Sequence, residues 1–433
     1  MGKQQPQLSA PNLLLGLPLV SALAFYQDWQ EAQPNKVTQG VANFLEIVQD
    51  TFPELLGDEA RIRETVPAAK DLLQRLEPFV GIREELKEGP PKVGLLSLLE
   101  QRVNFEMDTI PQPLWGGLLV PLLGTIQTEA EKAGTTAEES ITARPAGEDA
   151  TGIQRFLEQT GVIKKGGLGR NGRFLLGRIA LGGYTQLAYS YLPYFLKLDE
   201  VLSDPSKAGL GKPIDRLQPE NAQASNQLIS NILGPLARET LTEAVARALD
   251  FGSGGGYFLM GMAREGVQVV GMDINKSAIS SSRALFKGAG IEGSFYLGDL
   301  IKQEDLAQIA AERLPDIAFI NYILHDIAGI GETREAGLEI VKEFLRAYRQ
   351  FFAGIPLYIS ETYYASPEQL RADGNAGAIV FAFLHAVSPQ YLLERKELLG
   401  LLEAAGFEVR GEVIHRTHED GAPANSTLMA VPG

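Results

Sequence analysis

The chain predicts an α/β protein with a mostly parallel sheet, preceded by a largely helical region, and a few local patterns carry that expectation. Residues 249–256 read Leu-Asp-Phe-Gly-Ser-Gly-Gly-Gly, an apolar strand running into a glycine turn. A second apolar run, residues 267–272, is closed by an acid, Asp273, 23 residues after Asp250. From about residue 240 onward, strand and helix patterns alternate, as a parallel sheet with crossover helices requires. Earlier in the chain the apolar residues fall at helical spacing instead. These are Val41, Phe44, Leu45 and Val48, then Leu72, Leu73 and Leu76, then Leu95, Leu96, Leu98 and Leu99.

The glycine turn decides what kind of ligand the sheet serves. A strand, turn, helix and second strand of this length let backbone approach a ligand, and the carboxylate ending the second strand can hold a ribose. A dinucleotide fingerprint needs a third glycine at position 257, which is Tyr257. The glycines fall at 252, 254 and 256 behind Asp250, giving D-x-G-x-G-x-G. Residues 293–299 then read as a strand ending in Gly298-Asp299, and residues 316–322 as a fourth strand aimed at the same place.

In this order and at these intervals the elements resemble the class I S-adenosylmethionine (SAM) dependent methyltransferases. The resemblance implies a Rossmann-like domain with a seven-stranded, mostly parallel sheet, and SAM as cofactor. It places cofactor binding at Asp250, Gly252, Ser253, Gly254, Gly256, Asp273, Ile274, Gly298, Asp299, Leu300 and Asn321. In that family the glycines meet the methionine part of SAM, the acid at 273 binds the ribose hydroxyls, and the acid at 299 meets the adenine amine. The apolar runs at 407–414 and 428–431 suit the antiparallel hairpin that ends such a sheet.

At 433 residues the chain is long enough for two or three domains. The expected division is a helical, acceptor-covering lid over residues 1–235, then a SAM-binding domain over 236–433. Hydrophobic content of 45% and charged content of 21% are those of a globular protein. With no cysteine, disulfides, thiolate nucleophiles and cysteine metal sites are excluded. A net charge of −15 argues against nucleic acid as a partner. The local exception is Lys164, Lys165, Arg170, Arg173 and Arg178, which reads as a dock for an acidic partner or phosphate arm, or as a solvated basic loop.

No apolar segment is long enough to span a bilayer, so no membrane partner and a cytoplasmic location are expected. Residues 12–25 are apolar but broken by Gly16 and Pro18, and read as a helix that covers a pocket or packs on a partner rather than as a signal peptide. The polar stretch 133–150 reads as a flexible connector. Residues 150–180 give a short amphipathic helix stopping at Gly161 and two β-like pieces around a Gly/Asn turn, which resembles the end of a winged helix. In O-methyltransferases such a module serves dimerisation and roofs the acceptor, so monomer and homodimer both stay open. Tyr184, Tyr189, Tyr191, Tyr194 and Phe195 line an acceptor cavity or form an aromatic core.

Methyl transfer from a sulfonium needs alignment, exclusion of water and an electron-rich acceptor. Of the four histidines, His325 follows strand four in Tyr322-Ile-Leu-His325-Asp326, at the carboxyl end of the sheet. That stretch resembles the Leu-His-Asp motif of O-methyltransferases, whose histidine is the catalytic base. Glu361 ends strand five, and adjacent strand ends would bring it to His325; His385, in the next helical segment, could complete the cluster. His415 and His418 read as surface residues of a polar tail. Two mechanisms follow. Either His325 is a general base oriented by Glu361 or Asp326, or His325 and Glu361 hold a divalent metal with open positions for substrate.

The helical lead, the winged-helix-like piece and the His325 to Glu361 interval are similar to C-methyltransferase domains of polyketide synthase loading modules. This implies methylation of the α-carbon of an acyl group on the phosphopantetheine arm of an acyl-carrier protein. Some of those domains use iron or manganese held by a histidine and a glutamine; here the second position is Glu361. A freestanding O-methyltransferase, with His325 as base and no metal, is the second reading. A winged-helix regulator that uses SAM as a signal is the third. The end at Gly433, after the final strand, fits an excised domain.

Overall fold

The computed structural model of the chain describes residues 10–25, 36–57, 59–85, 114, 116–142, 152–176, 191–203, 245–331, 333–388 and 390–433. Leu95, Leu96, Leu98, Leu99, Arg178, Tyr184 and Tyr189 lie outside them. The chain divides into two compact units, Met1–Arg216 with Gly374–Ser388, and Leu217–Asp373 with Pro389–Gly433.

The first unit is helical. Its apolar helix Gly16–Ala24 is buried along its whole length and packs on the helices Glu59–Glu85 and Gly116–Lys132. Glycine makes that crossing possible: a Cβ on Gly16 would come within 2.3 Å of the Gly116 backbone. The apolar character of residues 12–25 is therefore used inside their own unit. The helix Ala376–Val387 joins the same core, where Phe383 lies 4.2 Å from Phe44 and stacks on Phe195 at 6.1 Å between ring centroids. Tyr191, Tyr194 and Phe195 are buried in this core.

Two local expectations for this unit need correction. The stretch read as a connector contains the helix Ala137–Thr142. A reciprocal cap starts it: the Glu139 N–H donates to Thr136 Oγ1 at 3.1 Å, and the Thr136 N–H to Glu139 Oε2 at 2.9 Å. In the winged-helix-like piece, the helix Gly152–Gln159 leads into the antiparallel strands β1 (Ile163–Lys164) and β2 (Gly167–Leu168). The turn between them is Lys165-Gly166, both left-handed (φ 55° and 76°), as a two-residue hairpin prefers. The Gly/Asn segment expected to turn is instead the helix Arg170–Leu176, pinned by the buried Asn171 amide, which donates to the Thr160 carbonyl at 2.7 Å.

The second unit holds the sheet: β3 (Arg247–Phe251), β4 (Gln268–Asp273), β5 (Ser294–Leu297), β6 (Ile317–Asn321), β7 (Leu357–Thr362), β8 (Phe407–Thr417) and β9 (Pro423–Pro432). Their order is β5-β4-β3-β6-β7-β9-β8; β3 to β7 run parallel, and β9 is antiparallel to both β7 and β8. β3 and β6 are apolar along most of their length because helices cover both faces. Phe251 meets Phe344, Tyr348 and Phe352 edge-on at 5.7–6.0 Å, and burying one such ring stabilises by about 1.5–3 kcal/mol.

The crossover helices start on side-chain caps, Asn275 for Lys276–Ala289 and Thr333 for Arg334–Phe351. The chain leaves β3 toward β4 on one side and returns to β6 on the other. Ligand crevices open at the carboxyl ends of strands at such a reversal. The C-terminal hairpin runs past the expected residues, which overturns the reading of His415 and His418 as a polar surface tail. His415 Nε2 lies 2.8 Å from Thr427 Oγ1 in β9, and His418 is buried with Nδ1 2.7 Å from Asp373 Oδ2.

Candidate active site

The glycine turn leaves β3 with Gly252, Gly254 and Gly256 all at positive φ (70°, 52° and 77°), a conformation other residues resist. Gly252 also has a steric reason, since a Cβ there would sit 2.6 Å from the Ile323 side chain. Asp273 ends β4 and is fixed by two backbone donors, Gly254 N–H to Oδ2 and Asn275 N–H to Oδ1, each at 2.8 Å. Next to it Ile274 is 60% exposed, an apolar surface beside the acid. At the end of β5, Gly298 N–H donates to the Asp273 carbonyl at 3.0 Å, and the Asp299 N–H is held by Asp305 at 2.8 Å. Leu300 is buried behind them.

Asp250 is buried, with the Asn321 amide donating to its Oδ1 at 3.2 Å. Burial, with Asp273 nearby, pushes its pKa well above the carboxylate range, and the Asn321 bond only partly opposes this. Two neutral atoms beside it, Ser253 Oγ and Asn321 Oδ1, are buried without a hydrogen-bond partner among the described residues. Unsatisfied buried polar atoms are costly, and together with a raised carboxylate they fit a ligand that brings donors and positive charge. The α-ammonium and sulfonium of SAM are such groups. The structure thus brings the eleven sequence-predicted cofactor residues to the ends of β3 to β6, where β3, β4 and β5 lie side by side.

Tyr322, at φ 56°, turns the chain sharply out of β6 into the one-turn helix Leu324–Ala328, which carries His325. The buried His325 donates through Nδ1 to Glu361 Oε1 at 2.8 Å; Glu361 stands at the end of β7, directly beside β6. Glu361 is fully buried, its Oε1 also takes the Thr362 N–H at 2.9 Å, and its Oε2 has no partner among the described residues. Asp326 Oδ2 is 3.9 Å from His325 Nε2, beyond hydrogen-bond distance. Burial disfavours the imidazolium, but the Glu361 charge and hydrogen bond, with Asp326, together outweigh it and raise the pKa to about 9. The imidazole is thus held in one orientation by a carboxylate. His385 belongs to the first unit, and its Nδ1 donates to the Phe381 carbonyl of its own helix at 2.8 Å.

The same pair does not fit a metal centre as it stands. His325 Nδ1 and Glu361 Oε1 are hydrogen-bonded to each other, and among the described residues no group of three or more His, Asp or Glu could hold an ion. Sequence reasoning missed one participant. Gln390, buried in the loop after the helix Ala376–Val387, donates through Nε2 to Asp326 Oδ1 at 2.7 Å. A single glutamine beside a proline has no motif, so no sequence signal pointed to it.

Residues 249–353 match the family model described as a methyltransferase domain. The chain carries a SAM-dependent methyltransferase domain. Among solved structures, an O-methyltransferase family protein from Burkholderia thailandensis is similar at 14% identity and a TM-score of 0.46, covering 79% of this chain and 99% of that one. Mitomycin 7-O-methyltransferase is similar at 15% identity and 0.41, covering 85% and 95%. Magnesium protoporphyrin IX methyltransferase from Synechocystis PCC 6803, with bound SAH, gives 14% identity and 0.34 over 49% and 84%. No curated protein matches the chain. Among the enzyme's described residues, no helix is long and apolar enough to cross a membrane.

Proposed function

We propose that the enzyme transfers the methyl group of SAM to an acceptor whose proton His325 removes, and that this acceptor is the α-carbon of an acyl group on an acyl-carrier protein. The observation that carries the base reading is the buried His325–Glu361 pair at 2.8 Å. Bound SAM would supply the electrophilic methyl group. Asp273 and Asp250 would hold the cofactor at the glycine turn. His325 Nε2 would take the acceptor proton, while Glu361 fixes the ring and stabilises the imidazolium that forms. A proton α to two carbonyls, as in a malonyl thioester, suits a base whose pKa is raised to about 9.

The carrier partner draws support from the exposed Lys164, Lys165, Arg170 and Arg173, clustered on one hairpin and its following helix in a chain of net charge −15. A carrier protein is acidic, so charge complementarity favours docking there. Reversing these four charges should raise KM for carrier-bound substrate alone; an unchanged KM overturns the dock. The second reading, a small-molecule O-methyltransferase of the cytoplasm, is favoured by the same dyad, which needs only an acidic hydroxyl within reach.

The test is methyl transfer from labelled SAM to malonyl- and isobutyryl-loaded carrier protein and to a phenolic acceptor, with metal analysis of the intact enzyme. Product on malonyl carrier supports the first reading, and product on the phenol alone moves the function to the second. Stoichiometric iron or manganese that disappears in His325→Ala would overturn the metal-free base.

A further inference from the structure

Consecutive residues of one loop grip the catalytic turn from outside. Gln390, 5% exposed, donates its side-chain amide to Asp326 Oδ1 at 2.7 Å. The next residue, Tyr391, donates its backbone N–H to the His325 carbonyl at 3.0 Å. The helix they hold, Leu324–Ala328, is five residues long, too short to keep its own shape through internal hydrogen bonds. Partners outside the helix therefore help to place Asp326. The placement matters because Asp326 Oδ2 stands 3.9 Å from His325 Nε2, near enough for a small movement to close the ion pair.

We propose that Gln390 is a positioning residue that holds the Asp326 carboxylate away from His325 Nε2. This rests on the reading of His325 as the base. A buried carboxylate must find donors. Without the Gln390 amide, the nearest cationic donor to Asp326 among the described residues is His325 itself, and a carboxylate bound to Nε2 would occupy the nitrogen that has to reach the acceptor. Glu361 orients the base through Nδ1; Gln390 keeps the other end of the ring clear of Asp326. The two carboxylates beside one imidazole thus have opposite duties, one engaged and one restrained.

The chain has only four histidines, so imidazole 15N NMR on the full-length protein resolves the question without an acceptor or turnover. Gln390→Met keeps the volume and removes the amide. In this variant the His325 Nε2–H signal is expected to shift downfield as Asp326 closes on it, and in Gln390→Met/Asp326→Asn the signal should return to its wild-type position. SAM affinity, measured by calorimetry, should be unchanged throughout. An unmoved Nε2–H signal in Gln390→Met, or a shift that persists in the double variant, overturns the proposal. Because the readout involves no catalysis, such a failure leaves the base reading standing. Should the methionine variant not fold, Gln390→Asn, one methylene too short to reach Asp326, takes its place with the same expected shift.

Discussion

At the scale of single residues, the site rests on one contrast between carboxylates. Glu361 hydrogen-bonds His325, while Asp250 is buried and raised in pKa beside the glycine turn. The first has a direct consequence for rate. With the His325 pKa raised to about 9, kcat/KM should climb with its inflection near 9 rather than 6.5. Glu361→Gln removes the largest raising influence and leaves burial, which lowers, so the inflection should move below 9 while the plateau rate falls. A pH–rate series on both proteins checks this. Residue identities with a local signature were legible in the sequence: the three glycines, Asp273 and the Leu-His-Asp run. The His325–Glu361 contact was legible only through the adjacency of β6 and β7. Gln390 and the buried His418–Asp373 pair were not legible, because each depends on partners brought together from 45 or more residues away.

At the scale of elements, glycine sets two crossings with different duties. Gly252→Ala would force a left-handed backbone onto a residue with a side chain and press it on Ile323, at 2.6 Å. A cost of ~1–2 kcal/mol in stability is expected for the backbone alone, together with weakened SAM binding by calorimetry, because the loop must move. Gly16→Ala would drive a methyl group into the Gly116 backbone and should destabilise the helical unit by roughly 1–3 kcal/mol, with SAM affinity preserved. Denaturant unfolding followed alongside SAM binding separates the two. Parallel strands were readable as apolar runs because both faces are covered, and the terminal hairpin was readable as two apolar ends. The helix Ala137–Thr142 was not, since its stability comes from a four-residue cap inside a polar stretch whose composition suggests a linker.

At the scale of the whole molecule, the chain is two compact units in which the segment Gly374–Ser388 groups with residues more than 150 positions earlier. Such a grouping is a property of tertiary packing, with Phe383 on Phe44 and Phe195, and no periodicity reports it. Global stability should carry the mark of the buried pair. The His325 pKa is higher folded than unfolded, so its stabilising contribution is complete below pH 6.5 and is lost as pH rises through about 9. Thermal melts of the wild type should fall across that window more steeply than those of His325→Ala; parallel curves would mean the pair does not hold a proton in the folded state.

His325 is proposed as the base of a SAM-dependent methyl transfer. The most direct test of this role is the single-turnover transfer rate of His325→Ala, on whichever acceptor the wild type methylates, with SAM affinity measured on the same preparation. The expected result is a loss of about 100-fold or more in rate at unchanged SAM affinity. A variant that binds SAM normally and transfers the methyl group at the wild-type rate would rule out His325 as the base.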